Sequence, residues 1–234
     1  MCFSPKVTLA TFVLEWSLAI WAWIQYRYHR FGQLAIALLV LLGFYQWSEY
    51  AICRGSNPVD WARLGFAAVG FMPAIGLHLI MLFDKQKPGR THVETVTRYL
   101  VPIGYALASL WALVFWVEPA VIRSATCMPN FILYGKSMRP YTWFGYYYTT
   151  LIAWSLVAMA ALRERTAGAL RSATNWLAIG YLSFIIPTYL VIFMFPKMIP
   201  GFPSVLCGFA VILAIIMVKK VLPEYEKTHR DMRI

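Results

Sequence analysis

The chain has 234 residues, of which 60% are hydrophobic and 13% charged, with a mean hydropathy of +0.61 and a net charge of +11. A soluble domain carries about 25% charged residues, so a water-soluble globule is excluded and the chain reads as an integral membrane protein. Its basic groups are scattered over short loops and form no continuous stripe. Nucleic acid is therefore excluded as a partner, and the positive charge reads as a topology signal with anionic-lipid contact.

Crossing the hydrocarbon core takes roughly 20 mostly apolar residues per helix. Seven runs satisfy this, at about residues 7–26, 33–52, 62–83, 99–118, 141–162, 174–195 and 203–221. The expected fold is all-α: one bundle of seven transmembrane helices over residues 1–221, followed by a short charged tail over 222–234. A cleavable leader is not expected, because the first run lacks a basic leader and an A-x-A-like site. Short loops rich in Lys and Arg stay in the cytoplasm. Arg27, Arg30, Lys85, Lys87, Arg90, Arg98, Arg163, Arg165, Arg171, Lys219, Lys220, Lys227, Arg230 and Arg233 fall on the side of the tail, leaving seven basic residues opposite. The N-terminus is thus expected outside and the tail in the cytoplasm of a cell membrane, either a bacterial inner membrane or a plasma membrane.

In chain order, the first polar group inside a span is Glu15, about 12 Å below the outer surface by helical rise. The second helix ends in "GFYQWSEYAICRG", which puts Gln46, Glu49 and Cys53 on one face. An ionisable residue at membrane depth is costly unless it faces the bundle interior and finds a partner. Glu15, Gln46 and Glu49 are therefore expected to line one polar outer pocket, with Arg63 at the start of the third helix as the nearest cation. A plain helix-gluing contact, Glu49 to Arg63 or Glu15 to Gln46, is the structural alternative.

Further along the third helix come Pro73, a break that frees backbone carbonyls, and His78, about 24 Å from the outer end by helical rise. A lone histidine there reads as a hydrogen-bonding partner of a neighbouring helix. No other histidine lies at its depth, so a bis-histidine haem site is not expected. The fourth loop, "VIRSATCMPNFILYGKSMRP", is the longest outer segment and is a candidate lid. In "RPYTWFGYYYTT" the residues Tyr146, Tyr147 and Tyr148 cannot all face lipid, so at least one hydroxyl, with Tyr147 as the candidate, should enter the bundle. The seventh helix has no lysine in its middle for a Schiff base, so retinal is not expected.

Cys2, Cys53, Cys127 and Cys207 all fall on the outer, oxidising side in this topology, where disulfides persist. Four cysteines allow three pairings. Cys2 with Cys207 is the pair expected to join Gln46 and Glu49, as a disulfide or as paired ligands, with Cys53 and Cys127 as the second pair. Thiolates with Met128, Met138 or Met198 would favour a soft ion such as copper. No C-x-x-C occurs, which weakens a redox-active pair.

The start "MCFSP", the run "GFYQWSE" followed by "FMPAIGL", and "SVLCGFA" together resemble a family of uncharacterised bacterial polytopic membrane proteins. The resemblance covers about a fifth of the chain and extends to Cys2, Phe3, Ser4, Gln46, Glu49, Pro73 and Cys207. It departs from the family pattern at Tyr45 and at Tyr50, where that pattern has a glycine. It implies residues that matter and no activity.

The function expected from these features is a non-catalytic binding or accessory protein whose outer Glu/Gln/Cys pocket holds a small ligand, a soft metal ion, or a partner subunit or second copy. A membrane-embedded thiol/quinone oxidoreductase and a small transporter are the alternatives, so enzymatic activity is left open. The topology is tested by accessibility labelling: a cysteine placed in the segment 222–234 should react from the cytoplasmic side only, and labelling from outside would reverse every placement above.

Overall fold

The computed structural model describes residues 5–55, 57–84, 91–128, 132–136 and 138–231. Among them, seven helical stretches are long and apolar enough to cross a membrane. The elements are α1 (Pro5–Tyr26), α2 (Arg30–Cys53), α3 (Pro58–Asp84), α4 (His92–Val117), β1 (Ile122–Cys127), β2 (Ile132–Lys136), α5 (Met138–Arg165), α6 (Gly168–Met194), α7 (Phe202–Ile216) and α8 (Leu222–Asp231). The predicted spans coincide with α1 to α7. A 3₁₀ turn, Pro196–Gly201, precedes α7, and a π-helical turn, Met217–Val221, joins α7 to α8.

Short local signals set the helix ends. His29 caps α2, its Nδ1 accepting from the Gly32 amide at 2.9 Å. Thr91 and Glu94 form a reciprocal capping box at the start of α4, satisfying two of the amides that a helix N-terminus leaves without intrahelical partners. The turns after α2 and α5 use Gly55 and Gly168 at positive φ, 81° and 57°, where a side chain would be strained.

Helices α1 to α4 pack as successive neighbours, and α3 is the best buried, touching α2, α4, α5 and the hairpin. α7 lies against α1, α2 and α6. Without a hydrophobic drive between helices in lipid, close approach through small residues does the packing. Gly43 of α2 lies directly against the Trp16 indole of α1, and Gly76 of α3 against the Tyr181 hydroxyl of α6. The faces of α1, α4 and α6 that point away from the core carry exposed apolar groups such as Ile20, Leu113 and Ile186. Trp23 of α1, Trp116 of α4 and Trp143 of α5 are exposed as well.

Two features were not anticipated. The fourth loop is an antiparallel hairpin, β1 with β2, so the fold is a helical bundle carrying a small two-stranded cap. A bulge between Ile122 and Ser124 shifts the register. An extra residue in one strand lets Ile122 and Ala125, three apart, both face inward beside Ile132 and Tyr134. Second, the segment expected as a tail begins as a helix in line with α7: Leu222 and Tyr225 are buried, and the Tyr225 ring stacks on Phe31 with centroids 4.1 Å apart.

The hairpin is fixed covalently. Cys53, at the end of α2, is bonded to Cys127, at the end of β1, with Cα atoms 5.0 Å apart. The bond closes a segment with a sequence separation of 74, and removing such a crosslink costs roughly 2–5 kcal/mol. The double variant Cys53→Ser/Cys127→Ser should therefore lose about that much unfolding free energy, read from thermal unfolding in detergent. The wild-type chain should migrate faster before reduction than after, and the variant should not.

Candidate functional site

A cluster of buried polar side chains meets beneath the hairpin. α1 brings Glu15, α2 brings Tyr45, Gln46 and Glu49, β2 brings Tyr134, and α7 brings Ser204 and Cys207. All are buried, Glu15 completely at 0% exposure and Glu49 at 3%. Tyr45 and Glu49 share a face of α2 because i and i+4 superpose on a helix. Tyr134 is held by packing: its ring sits edge-on to Phe66, centroids 5.0 Å apart, and Phe66 in turn packs on Phe115 and Phe144.

The hydroxyls of Ser204, Tyr45 and Tyr134 face the Glu49 carboxyl. The two phenols also touch, oxygen to oxygen at 3.1 Å. Ser204 Oγ accepts from the Ile132 amide at 3.4 Å, tying α7 to the hairpin. Gln46 Nε2 donates to the Cys207 carbonyl at 3.1 Å, tying α2 to α7. Burial, and then the Glu49 carboxyl, push the Tyr134 phenol well above its ordinary range, so it stays a neutral donor at any physiological pH.

Glu15 differs from Glu49 in one respect. Both of its carboxyl oxygens lack a hydrogen-bond partner, whereas only Oε1 of Glu49 does. Glu15 feels the Glu49 charge, and both act on Cys207, so the two carboxyls and the thiol form one electrostatic unit. No described lysine, arginine or histidine forms an ion pair with either carboxyl.

The structure therefore brings together four of the expected residues, Glu15, Gln46, Glu49 and Cys207. It sends others elsewhere. Arg63 pairs with Asp60 at 3.7 Å, one turn away on its own helix. The Tyr147 hydroxyl enters the bundle, but it donates to the Gly70 and Gly104 carbonyls at 2.8 and 3.1 Å and so joins α5 to α3 and α4. His78 Nδ1 meets the Tyr105 hydroxyl at 3.2 Å, linking α3 to α4. Pro73 lines an apolar cleft with Cys207. Cys53 and Cys127 are bonded to each other, while Cys207 is a buried free thiol. Cys2, and with it the expected Cys2–Cys207 pair, lies outside the described residues.

Sequence reasoning missed Tyr45, Tyr134 and Ser204. Tyr45 had a signal, its i to i+4 relation to Glu49. Ser204 lay in the quoted "SVLC" run. Tyr134 had none, because only the hairpin register points it inward. The donors around the carboxyls are hard oxygens plus one thiol, and no group of three His, Cys, Asp or Glu among the described residues is placed to hold a metal ion.

The two glutamates should respond oppositely to substitution. Glu15→Met removes two unsatisfied oxygens and should raise the unfolding free energy by roughly 1–3 kcal/mol. Glu49→Met deprives three hydroxyls of their shared acceptor and should lower it by a similar amount; thermal unfolding of both purified variants reads the signs. Comparison with family models and with curated proteins finds no match to this chain.

Proposed function

We propose that this chain is a non-catalytic multi-pass membrane protein that binds one small positive charge, a proton or an alkali cation, between Glu15 and Glu49. The observation that carries this reading is Glu15: fully buried, within electrostatic reach of a second buried carboxyl, with neither oxygen partnered. An isolated carboxylate in an apolar medium costs many kcal/mol and is neutralised in some way. Two adjacent carboxyls repel as anions, and one positive charge shared between them relieves both costs.

The donors of the site narrow the occupant. Neither glutamate lines the three cavities near Glu94, Cys207 and Tyr189, which are lined by other residues. Carboxyl, phenol, hydroxyl and amide oxygens suit a proton or a hard cation over a soft metal. A soft-metal reading also loses Cys53 and Cys127, which are consumed in their own bond.

We place the hairpin end, and this site below it, toward the outside of a cell membrane. The disulfide supports an oxidising compartment on that side, and the bias of Lys and Arg toward the other end supports the same orientation. The resemblance to uncharacterised bacterial membrane proteins fits a bacterial inner membrane.

The test is ligand-linked stability of the purified full chain. The titratable groups facing the pair are Tyr45, Tyr134 and Cys207. If the charge is a proton, its stabilisation is present at low pH and lost as pH rises, so the thermal midpoint should fall on alkalinisation. If it is an alkali cation, the midpoint at fixed pH should rise with sodium or potassium chloride and not with choline chloride at equal ionic strength. Glu15→Gln should abolish whichever response the wild type shows. A wild type indifferent to both, or a response unchanged in Glu15→Gln, would falsify the reading. In vesicles, a binding protein leaves an imposed cation gradient intact, whereas dissipation of that gradient would favour the transporter alternative.

A further inference from the structure

A second feature of the bundle is independent of the carboxyl pair. Between α5 and α6 a cleft of about 100 Å³ opens, lined by Ala153 on α5 and by Ile185 and Tyr189 on α6. Beside it lies a smaller space of about 30 Å³, which Cys207 lines. Tyr148, Ile152 and Leu206 line both, so the two adjoin along these side chains and mark a passage inward from the side of the bundle. About 10–15 Å³ admits a water, so the outer part has room for a larger group.

The mouth faces sideways, at the level of the spans. Ala153 and Tyr189 there are exposed, Tyr189 at 48%, beside the exposed Ile186 and Leu190. For a bundle with this apolar exterior, an occupant entering between α5 and α6 comes from the bilayer. The inner end is not purely apolar. Tyr148 is only 7% exposed, and it lines both spaces, the inner one together with Cys207. A phenol hydroxyl in the lining of an otherwise apolar cleft offers a donor to an acceptor that arrives with an apolar body.

We infer that the passage between α5 and α6 is a binding site for a bilayer-soluble molecule bearing a carbonyl, whose oxygen accepts from the Tyr148 hydroxyl beside Cys207 while its apolar part lies against Leu206 and out through the mouth. A quinone ring carbonyl and an acyl ester carbonyl share this chemistry. No covalent or redox step is involved.

The experiment uses the full chain purified in detergent and three probes: a benzoquinone with a decyl tail, methyl oleate, and hexadecane as an apolar control without a carbonyl. Binding is read as saturable stabilisation in thermal unfolding and as an adduct in native mass spectrometry. One carbonyl probe should bind, the quinone indicating a ring carbonyl and the oleate an acyl ester, and hexadecane should not. Tyr148→Phe should weaken that binding roughly tenfold, the worth of one hydrogen bond. Leu206→Trp should block it by filling the passage. Because Leu206 is in the core, Ala153→Trp at the exposed mouth is the second blocking variant and should leave unliganded stability unchanged. Absence of binding by both carbonyl probes, equal binding of hexadecane with no effect of Tyr148→Phe, or undiminished binding in Ala153→Trp each overturns the inference.

Discussion

The Cys53–Cys127 bond carries the organisation of the hairpin end of the molecule. It joins the last turn of α2 to β1 one turn beyond Glu49, and so holds a two-stranded cap over the ends of α2 and α3. Because the strands pair in one register, fixing β1 fixes β2, and β2 delivers Tyr134 to the Glu49 carboxyl and Ile132 to Ser204 of α7. One covalent constraint thereby closes a polar cluster drawn from elements far apart in the chain. The aromatic bed of Phe66, Phe115 and Phe144 beneath the hairpin supports the same geometry through packing.

Polar groups at membrane depth are costly, and the bundle treats them in two ways. Most become fasteners between helices: Tyr147 bridges three helices through backbone carbonyls, His78 meets Tyr105, the Trp154 indole donates to Thr97, and Gln46 holds the Cys207 carbonyl. Each satisfies a donor while fixing a helix against its neighbour. Glu15 is not satisfied in this way: both of its carboxyl oxygens are buried without a hydrogen-bond partner. Unsatisfied polar atoms in an otherwise consistent structure are where function is expected to have displaced stability. Here they belong to an acid beneath the hairpin, apart from the Tyr148 side chain that lines the cleft between α5 and α6.

Cys207 lies between the two. Its backbone carbonyl belongs to the Gln46 contact, it feels both carboxyls, and it also lines the passage. α7 is thus the wall shared by the carboxyl cluster and the cleft. The π-helical turn that follows it shifts the helical register before α8 and leaves Met217, Val218 and Val221 fully buried. Lys219 and Lys220 then rest on the Trp21 and Trp176 rings, at 5.4 and 5.2 Å from the ring centroids, anchoring the far end of α7 to α1 and α6 by cation–π attraction.

Amphiphilic patterning and length are local properties, so the sequence by itself determined the seven spans and the burial of Glu15, Gln46 and Glu49: a carboxyl in an apolar helix must face inward wherever that helix packs. Tyr45 was legible too, from its spacing to Glu49. Pairing across the chain is a different matter, because it depends on which surfaces meet. Nothing in residues 119–137 signalled a hairpin with a bulge, so Tyr134 and Ser204 were invisible as partners of Glu49. Arg63 looked like the nearest cation by depth, but depth does not fix azimuth, and its guanidinium reaches Asp60 on its own helix at 3.7 Å. Cys53 with Cys127 was one of the two pairs the sequence offered, and the register of the hairpin brings them to a Cα separation of 5.0 Å. The passage between α5 and α6 exists only where two helices fail to close against each other, a mismatch of side-chain shapes that tertiary packing alone decides.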